Sequence, residues 1–249
     1  MKIVFIGAGN LATRLSLAMQ RVGMQIGQVY SHTEASARQL ATRLGCPWTN
    51  DLSALQEDGD LYVFSLKDTV LSDVISKVKP NNGMWVHTAG SMSMSVFEGY
   101  AQRFGVLYPL QTFSKGRNVN FDVIPIFLEA NTDKNADYLK NIASALSENV
   151  RFMSSEKRRS LHLAAVFACN FTNHIYTLSY KLLENESIPA DVLLPLIDET
   201  VSKIHSMPPA AAQTGPAIRY DENVINKHLA MLDDPDMQAI YRLLSQSIH

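Results

Sequence analysis

Cysteine is scarce in this chain, with only Cys46 and Cys169 among 249 residues. They stand far apart and form no CxxC pair, which excludes a disulfide scaffold and predicts a reducing, cytoplasmic setting. Charge of one sign is lacking too. The 22 basic and 24 acidic residues leave a formal net charge of -2, so neither nucleic acid nor an anionic membrane is an expected partner. Long hydrophobic runs are missing: the opening stretch MKIVFI breaks at Gly7, too early for a signal-peptide core or a membrane span. The chain has no internal repeat or low-complexity segment, and no metal site is expected. Apolar side chains are plentiful at 46%, enough to fill two domains of ordinary size.

Residues 2–6 (KIVFI) are a β-branched and aromatic run, the mark of a buried strand. Behind two glycines, Leu11, Leu15, Ala18, Met19 and Val22 recur at helical spacing. The alternation continues through QIGQVYS, a helix holding Ala37, Leu40, Ala41 and Leu44, the strand DLYVFSL, a helix over 69–78 and the strand GMWVHTA. RFGVLYPL and DVIPIFLEA predict two more strands, followed by a helix over 133–147 and a last short strand, VRFMS. Strands interleaved with helices predict an α/β fold of Rossmann type, a doubly wound and mostly parallel sheet. From Ser155 long helical patterns take over. The expected organisation is a dinucleotide-binding domain over 1–154 and an all-α domain over 155–249. In the second, a helix is expected over 156–185, another opens at Pro189 with a kink at Pro195, and two more cover 221–231 and 235–247.

GAGNLA, residues 7–12, matches the dinucleotide fingerprint GxGxxG/A. Gly7 permits the sharp turn, Gly9 removes a Cβ where pyrophosphate approaches, and Ala12 allows close helix–strand packing. Asn10 and Leu11 then lie at the helix N-terminus, whose free N–H groups face the phosphates. After the second strand stand Ser31, His32 and Thr33 in place of an acid, with Glu34 close by, which favours NADP over NAD as cofactor. Later strand ends supply Ser65, Leu66 and Lys67, and His87, Thr88 and Ala89, as candidate cofactor walls. His87 reads two ways, as a residue that orients a loop or as one that touches nicotinamide or substrate.

On the long helix from 156, a step of about 100° per residue aligns His162, Asn170, Asn173, Thr177 and Lys181 in one stripe interrupted by Val166. A solvent face would carry more Lys, Glu and Arg, so the stripe reads as a partly buried polar seam, with a plain solvent face as the alternative. The remaining apolar faces exceed what one small domain needs and predict a homodimer through the helical domain. Thr214, Gly215 and Pro216 form a stiff connector ahead of Arg219 and Asp221. Arg219 suits a substrate carboxylate or an ion pair, and Asp221 either fixes that guanidinium or caps the next helix.

With GAGNLA, HTAGSMS, YPLQTFS at 108–114, HLAAVFACNF at 162–171, LLPLIDETV at 193–201 and TGPAIRYDENVINKH, the chain resembles, over nearly its whole length, a family of Rossmann-like NADP-binding proteins with a C-terminal helical domain of unassigned function. These are related to pyrroline-5-carboxylate reductase, the β-hydroxyacid dehydrogenases and the deazaflavin-dependent NADP oxidoreductases. The resemblance implies a nucleotide domain, a helical dimerisation domain and a substrate cleft bordered by Tyr108, Asn173, Thr214, Gly215, Pro216, Arg219 and Asp221. Three positions depart from the family pattern: Tyr108 stands for a histidine, His32 for an arginine and Tyr220 for a glycine. The expected reaction is hydride transfer between nicotinamide and a small polar carbonyl or imine, with His162 as proton donor and Asn170 polarising the reacting atom. The alternative is a non-catalytic NADP-binding sensor or scaffold.

Overall fold

The computed structural model describes residues 1–248 and divides into two compact units, Met1–Cys169 and Asn170–His249. In the first, eight strands form one sheet: β1 (Lys2–Ile6), β2 (Gln25–Tyr30), β3 (Trp48–Thr49), β4 (Leu61–Phe64), β5 (Met84–His87), β6 (Phe104–Pro109), β7 (Ile126–Ala130) and β8 (Val150–Phe152). Their order is β3-β2-β1-β4-β5-β6-β7-β8. All neighbours run parallel except β6 and β7, where Leu107 lies opposite Leu128 in an antiparallel pair. The helices are α1 (Asn10–Arg21), α2 (Glu34–Leu44), α3 (Asp68–Lys77), α4 (Asp133–Ser144) and α5 (Ser155–Ala165).

Alternation along β1 explains why helices cover both faces of the sheet. Ile3 and Phe5 join a core with Leu15 and Met19 of α1 and Leu40 and Leu44 of α2. Val4 and Ile6 point the other way, into a core with Tyr62, Phe64, Trp85 and, from α3, Leu71 and Ile75. Every one of these side chains is at most 4% exposed, and complete burial of an aliphatic or aromatic side chain stabilises by about 1.5–3 kcal/mol. A third, smaller cluster gathers Val106, Tyr108 and Phe127 with Leu161 of α5 packed against it. That contact carries α5 across β6 and β7. The doubly wound sheet is therefore as the sequence predicts, and it puts the turns after β1, β2, β4 and β5 at the carboxyl edge where the strand order reverses.

The second unit is helical: α6 (Thr172–Asn185), α7 (Leu194–Ser206), α8 (Pro209–Ala212), α9 (Glu222–Ala230) and α10 (Pro235–Ser247). Two expectations need correction. Pro195 does not kink a helix; a 3₁₀ turn over Ala190–Leu193 comes first, and Pro195 sits in the opening turn of α7, where its missing N–H costs nothing. The helical run beginning at Ser155 is also not uniform, because Val166–Phe171 is a π segment. The wider turn breaks the constant angular step on which the alignment of His162 with Asn170, Asn173, Thr177 and Lys181 depends. Asn170, Asn173, Thr177 and Lys181 are exposed, so the buried polar seam is absent from the chain as it stands. Among the described residues of this unit only Ala217 is buried.

Candidate functional site

The turn after β1 is built as its glycines require. Gly7 has φ +120°, and a Cβ there would lie 2.1 Å from the Ser65 carbonyl oxygen. Its N–H donates to the Tyr30 carbonyl at 2.8 Å, while Ser65 N–H donates to Ile6, so the turn is tied to β2 and to the end of β4. Gly9 is different. A Cβ at Gly9 would meet nothing within 4 Å, and Gly9 caps α1 without a side-chain hydrogen bond. The first N–H groups of α1 thus face open space with the helix dipole behind them, an arrangement fitted to pyrophosphate. Ala12 is fully buried against the sheet, and Asn10 and Leu11 stand at the open mouth.

Around this turn the strand ends supply the remaining walls. Ser31 is half-buried, with its N–H donated to the Thr49 carbonyl, and His32 and Thr33 are exposed. Thr33 begins α2 without using its hydroxyl as a cap. Ser65 and Leu66 are partly exposed at the end of β4, and Lys67 opens α3.

His87 takes the loop-orienting role of its two readings. It is fully buried, accepts the Ala89 N–H at Nδ1 (3.2 Å) and donates from Nε2 to the Ser93 carbonyl (3.3 Å). Burial, reinforced by the Arg158 charge, holds its pKa down to about 4, so the ring is neutral and both nitrogens are spent on the 88–93 loop. As a side chain it has nothing left for a cofactor. Thr88 is buried and Ala89 half-buried in the loop it shapes.

That loop meets the first residue expected to do chemistry. A Cβ on Gly90 would fall 2.6 Å from Cγ and Nδ1 of His162, so only glycine lets the backbone lie flat against the imidazole. From the other side, the Tyr108 hydroxyl is 3.0 Å from His162 Nδ1, with the rings edge to face at 6.1 Å. Burial raises the Tyr108 pKa, opposed in part by Arg158. The phenol therefore keeps its proton at neutral pH and is able to donate to Nδ1, the tautomer of the ring setting the direction of the bond. The departure at position 108 thus produces a Tyr–His pair that the sequence did not disclose.

Two further residues escaped the sequence reading. Arg158, one turn before His162 on α5, is fully buried. It pairs with Glu129 of β7 at 2.5 Å, donates to the Met92 carbonyl and reaches the Ser155 hydroxyl at 3.1 Å. Glu129 also accepts the N–H and the hydroxyl of Ser155, and its carboxyl is held below its ordinary range by those bonds and the arginine, against a burial effect that raises it. This cluster pins the start of α5 to β7 and to the 88–93 loop. A buried Arg–Glu pair 29 residues apart leaves no local pattern in sequence.

The other candidates lie in the second unit. Thr214 is exposed and Gly215 takes φ +108°. Pro216 opens the 3₁₀ turn Ala217–Arg219, where Arg219 is exposed. Asp221 is the helix cap of its two readings, accepting the Val224 N–H at 3.2 Å. Tyr220, between them, sits at φ +56° in the left-handed region, which explains why a glycine suits this position. His228 is engaged with the Tyr241 hydroxyl at 2.8 Å.

A strand–glycine turn–helix at the reversal point of a doubly wound sheet, with an uncapped helix start and open space before it, defines a dinucleotide-binding Rossmann protein. Residues 124–248 match the family model described as a domain of unknown function (DUF2520), and residues 2–86 match that of the NADP oxidoreductases, coenzyme F420-dependent. The chain belongs to the DUF2520 family. No curated protein matches it. Among solved structures it is similar to the "putative NADP oxidoreductase BF3122" of Bacteroides fragilis, at 54% identity and a TM-score of 0.94 over 100% of this chain and 97% of that one. Its fold is shared with an imine reductase from Myxococcus stipitatus solved with NADP+ (15% identity, TM-score 0.65, covering 100% and 91%). It is shared as well with 1-pyrroline-5-carboxylate reductase from Streptococcus pyogenes (16%, 0.62, 100% and 96%).

Proposed function

We propose that the chain is an NADP-dependent oxidoreductase acting on a small polar carbonyl or imine, with His162 as proton donor. The observation that carries this reading is the Tyr108 hydroxyl 3.0 Å from His162 Nδ1, with Gly90 pressed on the same ring. NADP would be held by the Gly7–Leu11 turn through its pyrophosphate and by Ser31, His32 and Thr33 through its 2′-phosphate, and when bound it supplies or accepts the hydride. The chain's own task is the proton. Reduction of a C=O or C=N bond sends an electron pair to oxygen or nitrogen, which then needs a proton. With the phenol donating to Nδ1, His162 gives that atom its Nε2 proton while the Tyr108 proton passes to Nδ1, so the ring ends as neutral imidazole and the phenoxide regains its proton from solvent. His87 and the Glu129–Arg158 pair fix the loop and helix on which this geometry rests.

The test is NADPH oxidation with a panel of small ketones, keto acids and cyclic imines. For any substrate turned over, His162→Gln is expected to lower kcat by roughly 10²–10⁴-fold, the usual worth of a positioned acid, with NADP affinity unchanged. A variant as fast as wild type removes His162 from the chemistry.

The working form we propose is a homodimer through the second unit. Phe171, Leu196, Ile204 and Leu243 are each more than half exposed, in a unit whose described residues include a single buried one. A second copy supplies the missing cover. Sedimentation at micromolar concentration tests this, and a monomer would refute it. We also place the chain in the cytoplasm, since both thiols are free; cell fractionation checks that assignment. Among the described residues no helix is long and apolar enough to cross a membrane.

A further inference from the structure

On the flank of α1, away from the glycine turn, the first unit holds a cavity of about 500 Å³, a size ordinary for small-molecule sites. Arg14, Leu17 and Arg21 line it from one side of α1, because positions three, four and seven apart share a helix face. Arg43 enters from the last turn of α2, and the 118–122 segment closes the opposite wall.

Arg14 is the unusual member. It is 6% exposed, and its guanidinium donates to the Ser114 carbonyl at 2.9 Å, to Asn118 Oδ1 at 2.6 Å and to the Lys115 carbonyl. All three acceptors are uncharged. Among the described residues Arg14, Arg21 and Arg43 form no ion pair. Buried charges are ordinarily paired, because removal from water is costly without a counter-charge. Arg21 and Arg43 each complement the dipole at the end of a helix, which accounts for their residue type. It does not account for three arginines lining one cavity against a single carboxylate, Asp122.

We propose that this cavity is a second anion site, separate from the dinucleotide turn, for a small dianion: a phosphate monoester or a dicarboxylate. The Arg21 and Arg43 forks grip its oxygens, Arg14 gains the counter-charge it lacks, and Leu17 and Leu146 cover the carbon part.

The experiment is calorimetry with inorganic phosphate and with malonate at ionic strength fixed by chloride, on the free chain and on the chain saturated with NADP+. Binding of at least one dianion is expected in both states. The double variant R21Q/R43Q, whose exposed side chains can be replaced without opening a core, should keep its circular dichroism spectrum and NADP+ affinity while dianion affinity falls at least tenfold. R43E alone should show the same loss. Which dianion binds more tightly separates the two ligand classes. No heat from either, or heat abolished by NADP+ and untouched by R21Q/R43Q, overturns the proposal; the latter assigns the anion to the glycine turn instead. Failure here leaves the His162 assignment standing, because that rests on turnover.

Discussion

Acid should loosen this protein through one histidine. His87 is fully buried and its pKa is lowered from 6.5 to about 4, so between those values the unfolded chain binds a proton that the folded one refuses. Stability from this group is therefore intact above pH 6.5, declines as pH falls through the window, and is fully lost near pH 4. Two and a half pKa units correspond to about 3 kcal/mol over the whole window, of which about 1.8 kcal/mol is lost between pH 7 and pH 5. The assay is urea unfolding at those two pH values for wild type and His87→Asn, whose Oδ1 can still accept the Ala89 N–H. The variant forfeits the bond to Ser93, so at pH 7 it should be less stable by about 1–3 kcal/mol. Its loss between pH 7 and pH 5 should nevertheless be smaller than wild type's by about 1.8 kcal/mol, because carboxylates titrate equally in both. Parallel curves would refute the reasoning, as would an NMR titration of the His87 ring with a midpoint near 6.5.

Gly7→Ala meets both a positive φ and the Ser65 carbonyl at 2.1 Å; a loss of roughly 2–5 kcal/mol in chemical denaturation is expected, and a loss below 1 kcal/mol contradicts the geometry. Arg158→Met strands the Glu129 carboxylate and should cost about 3–5 kcal/mol. Adding Glu129→Gln should restore at least half of that, and no recovery means the charge is not the cause.

Local chemistry made the first unit legible. The apolar run KIVFI marked a buried strand, and the glycine turn announced itself through the spacing of Gly7, Gly9 and Ala12, although the Ser65 carbonyl that Gly7 clears comes from the end of another strand. The site's centre was less visible. Tyr108 and His162 are 54 residues apart, and Arg158 and Glu129 meet only because Leu161 lays α5 across β6 and β7. The polar stripe misled for a definable reason: it assumed a constant rotation through Val166–Phe171, where the helix widens. Pro195 misled because a proline after an apolar start reads equally as an interruption or as a first turn, and only the preceding 3₁₀ turn distinguishes them.

Gly90, unlike Gly7, carries no left-handed backbone angle; its requirement is room alone. A single methyl at that place would press on the imidazole beside its phenol, and under the proton-donor role proposed for His162 turnover would suffer although every proton-bearing atom had been kept. The spacing of the pair is thus set by an absence, and a search that scores only reactive side chains will pass over the residue that holds them to their task.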